Sequence, residues 1–297
     1  MAAQREGAGG PGDKPSRGWG RSIGWVAWRI ARPFLIAIAC VTIFVVVYLM
    51  FNENSLIFYP SLYPDGDWQP RALTFTDAWF ESADGQKLHG WYVAHEKPLA
   101  VVLFCHGNGG NVTDRADKLR QMNRVAQASI LVFDYRGYGR SGGFPSESGV
   151  LADARQARAW LAKQAGIAEE KVVVMGESLG GAVAVDLAAA DGARGLILEN
   201  TFTSIPEVAS AHYPWFPASL FLRTRFDSLH KIPAYHGPLL QSHGDRDSIV
   251  PYRIGRRLFD AANEPKRFLS LAGADHNDLH SRAYYKEVRT FLENLPQ

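Results

Sequence analysis

The spacing of apolar positions along the chain changes character twice. Residues 1–18, "MAAQREGAGGPGDKPSRG", show no apolar period and are rich in Gly, Pro and charge. Such a stretch cannot bury enough surface to offset the entropy of ordering it, and a disordered basic tail is expected over residues 1–32. Residues 33–51, "PFLIAIACVTIFVVVYLMF", then run for nineteen positions without a charge, with Thr42 as the polar interruption. As a helix this run spans roughly 28 Å, about the hydrocarbon thickness of a bilayer, and it predicts one transmembrane helix. A cleaved signal peptide fits less well. The run is longer than the apolar part of a signal, and "LMFNENS" offers no small-x-small cleavage site.

From residue 52 onward the pattern is that of a folded domain, expected to extend to residue 297. "RALTFTDAWFES", "KLHGWYVAH" and "LAVVLFCHG" read as strands, the first two joined by a turn at Asp84-Gly85. Strands and helices alternate afterwards. "SILVFDYRG" precedes a helix over residues 147–164, "KVVVMGE" a helix after Ser178, and "ARGLILEN" and "GPLLQSHG" a helix after Pro251. "KRFLSLAG" and a closing helix over residues 282–295 end the chain. Continuous apolar strands separated by helices predict an α/β domain with a mostly parallel central sheet covered on both faces. In such sheets chemistry gathers at the carboxyl ends of the strands. The polar motifs "CHGNGGN", "DYRGYGRSGG", "GESLGG", "HGDRDSIVP" and "GADHND" each follow an apolar strand.

Charge refines this reading. Residues 1–51 hold six Lys or Arg against two Asp or Glu, so of the formal net charge of +2 they carry +4 and the remainder −2. A nearly neutral folded part lacks the basic footprint of a nucleic-acid binder. Arg17, Arg21, Arg29 and Arg32 precede the apolar run, whereas no Lys or Arg occurs from Asn52 until Arg71. The positive-inside rule therefore predicts a cytoplasmic N-terminus and a folded domain on the opposite side, whether periplasmic, extracellular or lumenal. The two cysteines lie in dissimilar settings, Cys40 within the apolar run and Cys105 at the end of a buried strand, and no disulfide is expected between them. Nine histidines show no metal-ligand spacing. Neither a metal nor a cofactor is expected.

Candidate chemistry centres on "VVVMGESLGGAVAV". Gly176, Ser178 and Gly180 form G-x-S-x-G between a β-branched strand and an alanine-rich helix, the context of a nucleophile elbow. An N-cap serine on an ordinary strand-to-helix unit gives the same local pattern. A serine nucleophile needs a histidine within hydrogen-bond reach and an acid to orient it, here expected in the order Ser, acid, His at strand ends. Asp245 and Asp247 both meet the position for the acid. His276 meets it for the base, with His280 a competitor nearer the last helix. The two N–H donors for a developing oxyanion are assigned to the backbones of Leu179 and of Asn108, the latter in the Gly-rich "HGNGGN" loop. That loop fits neither G-x-G-x-x-G nor a P-loop, which argues against a nucleotide.

Taken in order, "LFCHGNGGN", "FDYRGYGRSGG", "GESLGG", "ENTFTSIPEVASAHYPWFPASLFLRTRFDSL", "HGDRDSIVP" and "GADHND" resemble the membrane-anchored α/β-hydrolases that include abhydrolase-domain proteins 13 and 17 and the Bem46-type proteins. The resemblance runs from about Asn52 to the C-terminus. It implies an α/β-hydrolase fold with serine-hydrolase chemistry, and it makes Ser178 the nucleophile. In that family the acid follows "HG" by three residues, which falls on Asp247 and leaves Asp245 to hold the turn. One departure is Asp275, where the family usually has glycine, a carboxylate expected to raise the basicity of His276.

About forty residues separate Glu199 from Leu239 and include Trp215, Phe216, Leu220, Phe221 and Phe226. A short cap over about residues 201–235 is expected, its aromatics either walling an acyl site or packing on the sheet. The expected partner is a small-molecule or acylated substrate. Ester, thioester and amide are all within reach of one triad. Peptidase or acyltransferase activity is the alternative, and a non-catalytic membrane-tethered binding protein a lesser one.

Overall fold

The computed structural model describes residues 19–215 and 217–296 and divides into two units, residues 1–51 and 52–297. The described residues of the first form one helix, α1 (Trp19–Phe51), whose stretch Trp25–Tyr48 is long and apolar enough to cross a membrane. It corrects the sequence expectation at residues 19–32, which are helical and continuous with the apolar run. "WGRSIGWVAWRIAR" contains no proline, so nothing in it breaks a helix, and Pro33 is accommodated inside the helix. The remainder of the expected tail, residues 1–18, lies outside the described residues.

The second unit contains, in chain order, α2 (Glu53–Ile57), β1 (Tyr59–Pro60), β2 (Thr76–Glu81), β3 (Lys87–Val93), β4 (Ala100–Cys105), β5 (Gly109–Gly110), α3 (Ala116–Arg124), β6 (Ala128–Phe133) and α4 (Glu147–Ala165). It continues with β7 (Val173–Glu177), α5 (Leu179–Asp191), β8 (Gly195–Glu199), α6 (Ile205–His212), α7 (Ala218–Phe221), α8 (Ser228–Lys231), β9 (Leu239–Gly244), α9 (Tyr252–Ala261), β10 (Lys266–Leu271) and α10 (Arg282–Glu293). Eight strands form one sheet in the order β10-β9-β8-β7-β4-β6-β3-β2. β2 and β3 pair antiparallel, as do β3 and β6, and the other pairs are parallel.

Alternation of side chains explains why strands with no polar interruption were needed. Val101, Leu103 and Cys105 of β4 face a core built with α4, α5 and α9, while Val102 and Phe104 face the opposite core with α3 and α10. From β4 the chain moves to β6 on one side, then crosses back to β7 on the other. The loops leaving β4 and β7 therefore diverge at a topological switch point, where parallel sheets open a crevice at their carboxyl edge.

Helix α3, "ADKLRQMNR", was not foreseen, because its apolar face is reduced to Leu119 and Met122. The short α2 and the pairing of β1 with β5 were also unforeseen. Three short helices, α6 to α8, occupy the expected cap between β8 and β9. Phe226 is 1% exposed and its ring meets Phe58 at 6.2 Å, which fits the packing reading for that residue. Trp215 and Leu220 fit neither reading, being 80% and 77% exposed. Phe216 lies outside the described residues.

Candidate active site

Between β7 and α5 the backbone reverses at Ser178, which adopts φ +52° and ψ −118°. A non-glycine residue in that region carries a conformational cost of about 1–3 kcal/mol, so its surroundings must hold it there. Close packing does so. A Cβ on Gly176 would meet the Gly180 carbonyl oxygen at 2.2 Å, and one on Gly180 would meet that of Cys105 at 2.0 Å. Only glycine fits at either position. The Ser178 side chain makes no capping bond to α5, so the N-cap alternative does not describe it.

Its Oγ instead lies 3.0 Å from Nε2 of His276, which follows β10. The other ring nitrogen, Nδ1, is 2.7 Å from Oδ2 of Asp247, which follows β9. A carboxylate can only accept, so Nδ1–H donates to it and Nε2 is left as acceptor for the serine hydroxyl. Each of the three residues is 8% exposed, sheltered but reachable. Oδ1 of Asp247 accepts the backbone N–H groups of Ile249 at 2.9 Å and Val250 at 2.7 Å, which fixes the carboxylate plane. Burial pushes the Asp247 pKa up, but hydrogen bonds from His243 and His276 outweigh it and hold the carboxyl below the usual carboxylate range.

The other acids and histidine considered from sequence have separate duties. Asp245 Oδ1 accepts the N–H of Gly273 at 2.7 Å, a loop contact. Asp275 accepts from the backbone N–H groups of His276 and Ser248 and from the Ser248 hydroxyl, so its oxygens are spent on those donors rather than on the His276 ring. His280 sits 3.5 Å from Glu199 Oε1, and it is His276 that bonds Ser178. Burial first, with Lys118 adding, lowers its pKa despite the pull of Glu199.

Five further residues support the site and were not foreseen. Asn200 donates from Nδ2 to the His276 carbonyl at 2.8 Å and accepts the Gly244 N–H at 3.0 Å, tying the ends of β8 and β9 to the histidine loop. Lys118 of α3 bridges Glu177 and Glu199, the last residues of β7 and β8. Desolvation works to raise the Glu177 pKa, yet Lys118 and then Arg115 hold it well below the usual range. His243, fully buried, is 3.2 Å from Asp247. In the sequence Glu177, Glu199, Asn200 and His243 left a signal, as polar residues at the carboxyl ends of apolar strands, and Lys118 left none.

The loop after β4 reaches the serine from the other side. A Cβ on Gly107 would lie 3.7 Å from that of Ser178. Next to it, Asn108 accepts at its carbonyl from Tyr59 N–H at 3.0 Å and Tyr138 O–H at 2.8 Å, and its Nδ2 donates to the Ile57 carbonyl at 2.9 Å. Leu179, the first residue of α5, is buried behind the serine. A cavity of about 230 Å³ opens beside His276, lined among others by Arg115, Lys118, Glu177, Asn200 and His280. Ser178 is not in its wall, and its charged lining suits a polar group rather than an alkyl chain. Among the described residues no group of His, Cys, Asp and Glu has the arrangement of a metal site.

Residues 96–230 match the family described as serine aminopeptidase, S33. The chain is 38% identical over 267 residues to an uncharacterized protein of Mycobacterium tuberculosis, covering 88% of this chain and 95% of the relative. It is 31% identical over 271 residues to protein bem46 of Schizosaccharomyces pombe, covering 85% and 89% respectively. With the alpha/beta hydrolase domain-containing protein WAV2 of Arabidopsis thaliana it shares 32% identity over 244 residues, 74% of this chain and 79% of the relative. An esterase of Pyrococcus furiosus has the same fold, with a TM-score of 0.63 at 19% identity over 80% of this chain and 99% of the esterase. The fold and the elbow define the class as α/β-hydrolase. Within it, the chain belongs to the family of bem46 and WAV2.

Proposed function

We propose that this protein is a membrane-anchored serine hydrolase that cleaves an ester or acyl thioester through an acyl-enzyme. The observation that carries the reading is the position of the His276 ring, hydrogen-bonded on one side to Ser178 and on the other to Asp247. In the first step the Ser178 Oγ attacks the substrate carbonyl carbon while its proton passes to His276 Nε2. Asp247 keeps the imidazole in the right tautomer and stabilises the imidazolium. Negative charge on the former carbonyl oxygen is met by the backbone N–H groups of Leu179 and Asn108. Collapse of the tetrahedral species expels the alcohol or thiol, which takes the proton from His276. Water, deprotonated by the same nitrogen, then attacks the acyl-enzyme, the acyl–Oγ bond breaks to release the acid, and His276 returns its proton to Ser178 Oγ.

The apolar stretch within α1 supports the anchoring half of the proposal, with residues 33–51 in the bilayer. The match to a family described as serine aminopeptidase favours a second reading, in which the leaving group is an amine. Both readings share one test for the nucleophile. In the full-length protein, Ser178→Ala is expected to abolish labelling by a fluorophosphonate and hydrolysis of p-nitrophenyl esters, with the fold intact by circular dichroism. Labelling that persists in the alanine variant would overturn the assignment, and a non-catalytic binding protein would show no labelling in either form. A panel of esters, acyl thioesters and aminoacyl amides given to the wild type separates hydrolase from aminopeptidase.

A further inference from the structure

The cap exposes what a soluble surface normally withholds. Trp215 and Leu220 are 80% and 77% exposed, and Tyr213, whose ring lies 6.3 Å from that of Trp215, is 55% exposed. Tyr213 and Trp215 stand on the segment linking α6 to α7 and Leu220 on α7 itself, with Arg223 and Arg225 exposed shortly after it. Aromatic and leucine side chains beside arginine make up the composition of a surface that enters the interface of a bilayer.

What covers this face is indicated by the residue to which the cap is fastened. Glu53, 5% exposed, accepts the backbone N–H of Arg223 at 2.9 Å and of Thr224 at 2.5 Å. Glu53 follows Phe51, the last residue of α1, by two positions, and covalent geometry keeps their Cα atoms within about 7 Å. Phe226, next along the cap, packs on Phe58. Leu56 and Tyr59 of the same post-helix segment are themselves about half exposed. The other end of the cap reaches the chemistry, for His212 Nε2 lies 2.7 Å from the carbonyl oxygen of Ile249, two residues from Asp247. The cap therefore joins Glu53, at the start of the folded unit, to the loop that holds the acid.

We propose that Tyr213, Trp215 and Leu220 form a bilayer-docking surface, and that the substrate is an acyl ester or thioester held in the lipid phase and delivered to Ser178 beneath the cap. The choice of substrate rests on the serine-hydrolase reading, whereas the docking surface does not. A protein partner is the competing occupant of the face. The bilayer is favoured because the cap is bonded to the residues that emerge from α1.

The test uses the full-length protein reconstituted in phosphatidylcholine and phosphatidylglycerol vesicles, comparing wild type with Trp215→Ser/Leu220→Ser. A long-chain 4-methylumbelliferyl ester dissolved in the bilayer is one substrate, and water-soluble p-nitrophenyl acetate the other. Hydrolysis of the embedded ester is expected to fall about 10-fold in the double variant, since apolar contacts that orient the domain are lost. The soluble ester should be hydrolysed at the wild-type rate, and Trp215→Phe/Leu220→Met should restore the embedded one. Independently of activity, brominated lipids should quench a component of wild-type fluorescence that is missing in Trp215→Ser. Equal rates on the embedded ester together with unchanged quenching would overturn the docking surface and leave the face to a protein partner. Failure of the wild type to hydrolyse either ester would instead count against the hydrolase reading, with the quenching still deciding the docking.

Discussion

Asp247 meets the His276 ring at 2.7 Å through one carboxylate oxygen while its other oxygen is held by two backbone N–H groups of its own loop. The carboxylate of Asp245, two residues earlier, accepts instead from the loop backbone at Gly273, at 2.7 Å. The two acids should separate by mutation. Asp247→Asn removes the charge that stabilises the imidazolium and favours the wrong tautomer, a loss that reaches about 10⁴-fold in kcat for serine proteases. Asp245→Asn should keep kcat/KM on an activated ester within about 3-fold, with a modest fall in melting temperature from the weakened loop bond. The reverse pattern in two folded variants would move the acid to Asp245.

Asn108 is tied through its side chain to Ile57, in the segment that follows the apolar helix. Asn108→Ala keeps the backbone N–H assigned to the oxyanion but releases this tether. Because such a donor acts chiefly in the transition state, kcat should fall about 10-fold while KM stays near wild type. A rise in KM at constant kcat would mean that the loop binds substrate and does not stabilise the oxyanion.

How far the sequence carried these assignments depends on the kind of residue. Buried parallel strands announce themselves as "AVVLFC" and "ASILVF", so the sheet and the loops at its carboxyl edge were legible, along with Ser178 and His276. Helix α3 was not, since two apolar side chains suffice to seat it. Lys118 could not be found either, because its partners Glu177 and Glu199 are 59 and 81 residues away and only the fold brings them together. Choosing between Asp245 and Asp247 needed family spacing, as both follow the same strand. The exposure of Trp215 and Leu220 was hidden for a further reason. An aromatic run reads alike in sequence whether it faces a core, a ligand or a bilayer.

The side of the membrane is a separate expectation. Arg29 and Arg32 stand before the core of the apolar run, and the first basic residue after it is Arg71. With the N-terminus cytoplasmic, the folded domain faces the periplasm, the exterior or a lumen. Protease added to intact cells or spheroplasts should digest the domain if it is exposed there, and sealed vesicles should protect it if it is lumenal. A domain digested only after the cytoplasmic face is opened would invert the topology.

The last expectation concerns acid. His106 is buried against the rings of Tyr135 and Tyr138, its Nδ1 bonded to the Gly107 carbonyl at 2.7 Å. Burial, aided by Arg115, pushes its pKa down to about 3. The unfolded chain takes up a proton near the ordinary histidine value while the folded chain refuses it, so stability falls as the pH drops below about 6.5. His280, also lowered chiefly by burial, acts in the same direction. Asp247 and Glu177 have depressed folded pKa values, so their stabilisation is complete above the ordinary carboxylate range and is lost only further down. Asp134, whose pKa burial raises, acts in the opposite direction, so the His106 contribution, roughly 1.5 kcal/mol of lost stability between about pH 6.5 and 5, is read from the difference between two proteins that share Asp134. His106→Phe keeps an aromatic ring against Tyr135 and removes the titration. Urea unfolding followed across this window should give a shallower pH dependence for the variant by about that amount, whatever its absolute stability. Parallel curves for the two proteins would show that His106 is protonated in the folded state.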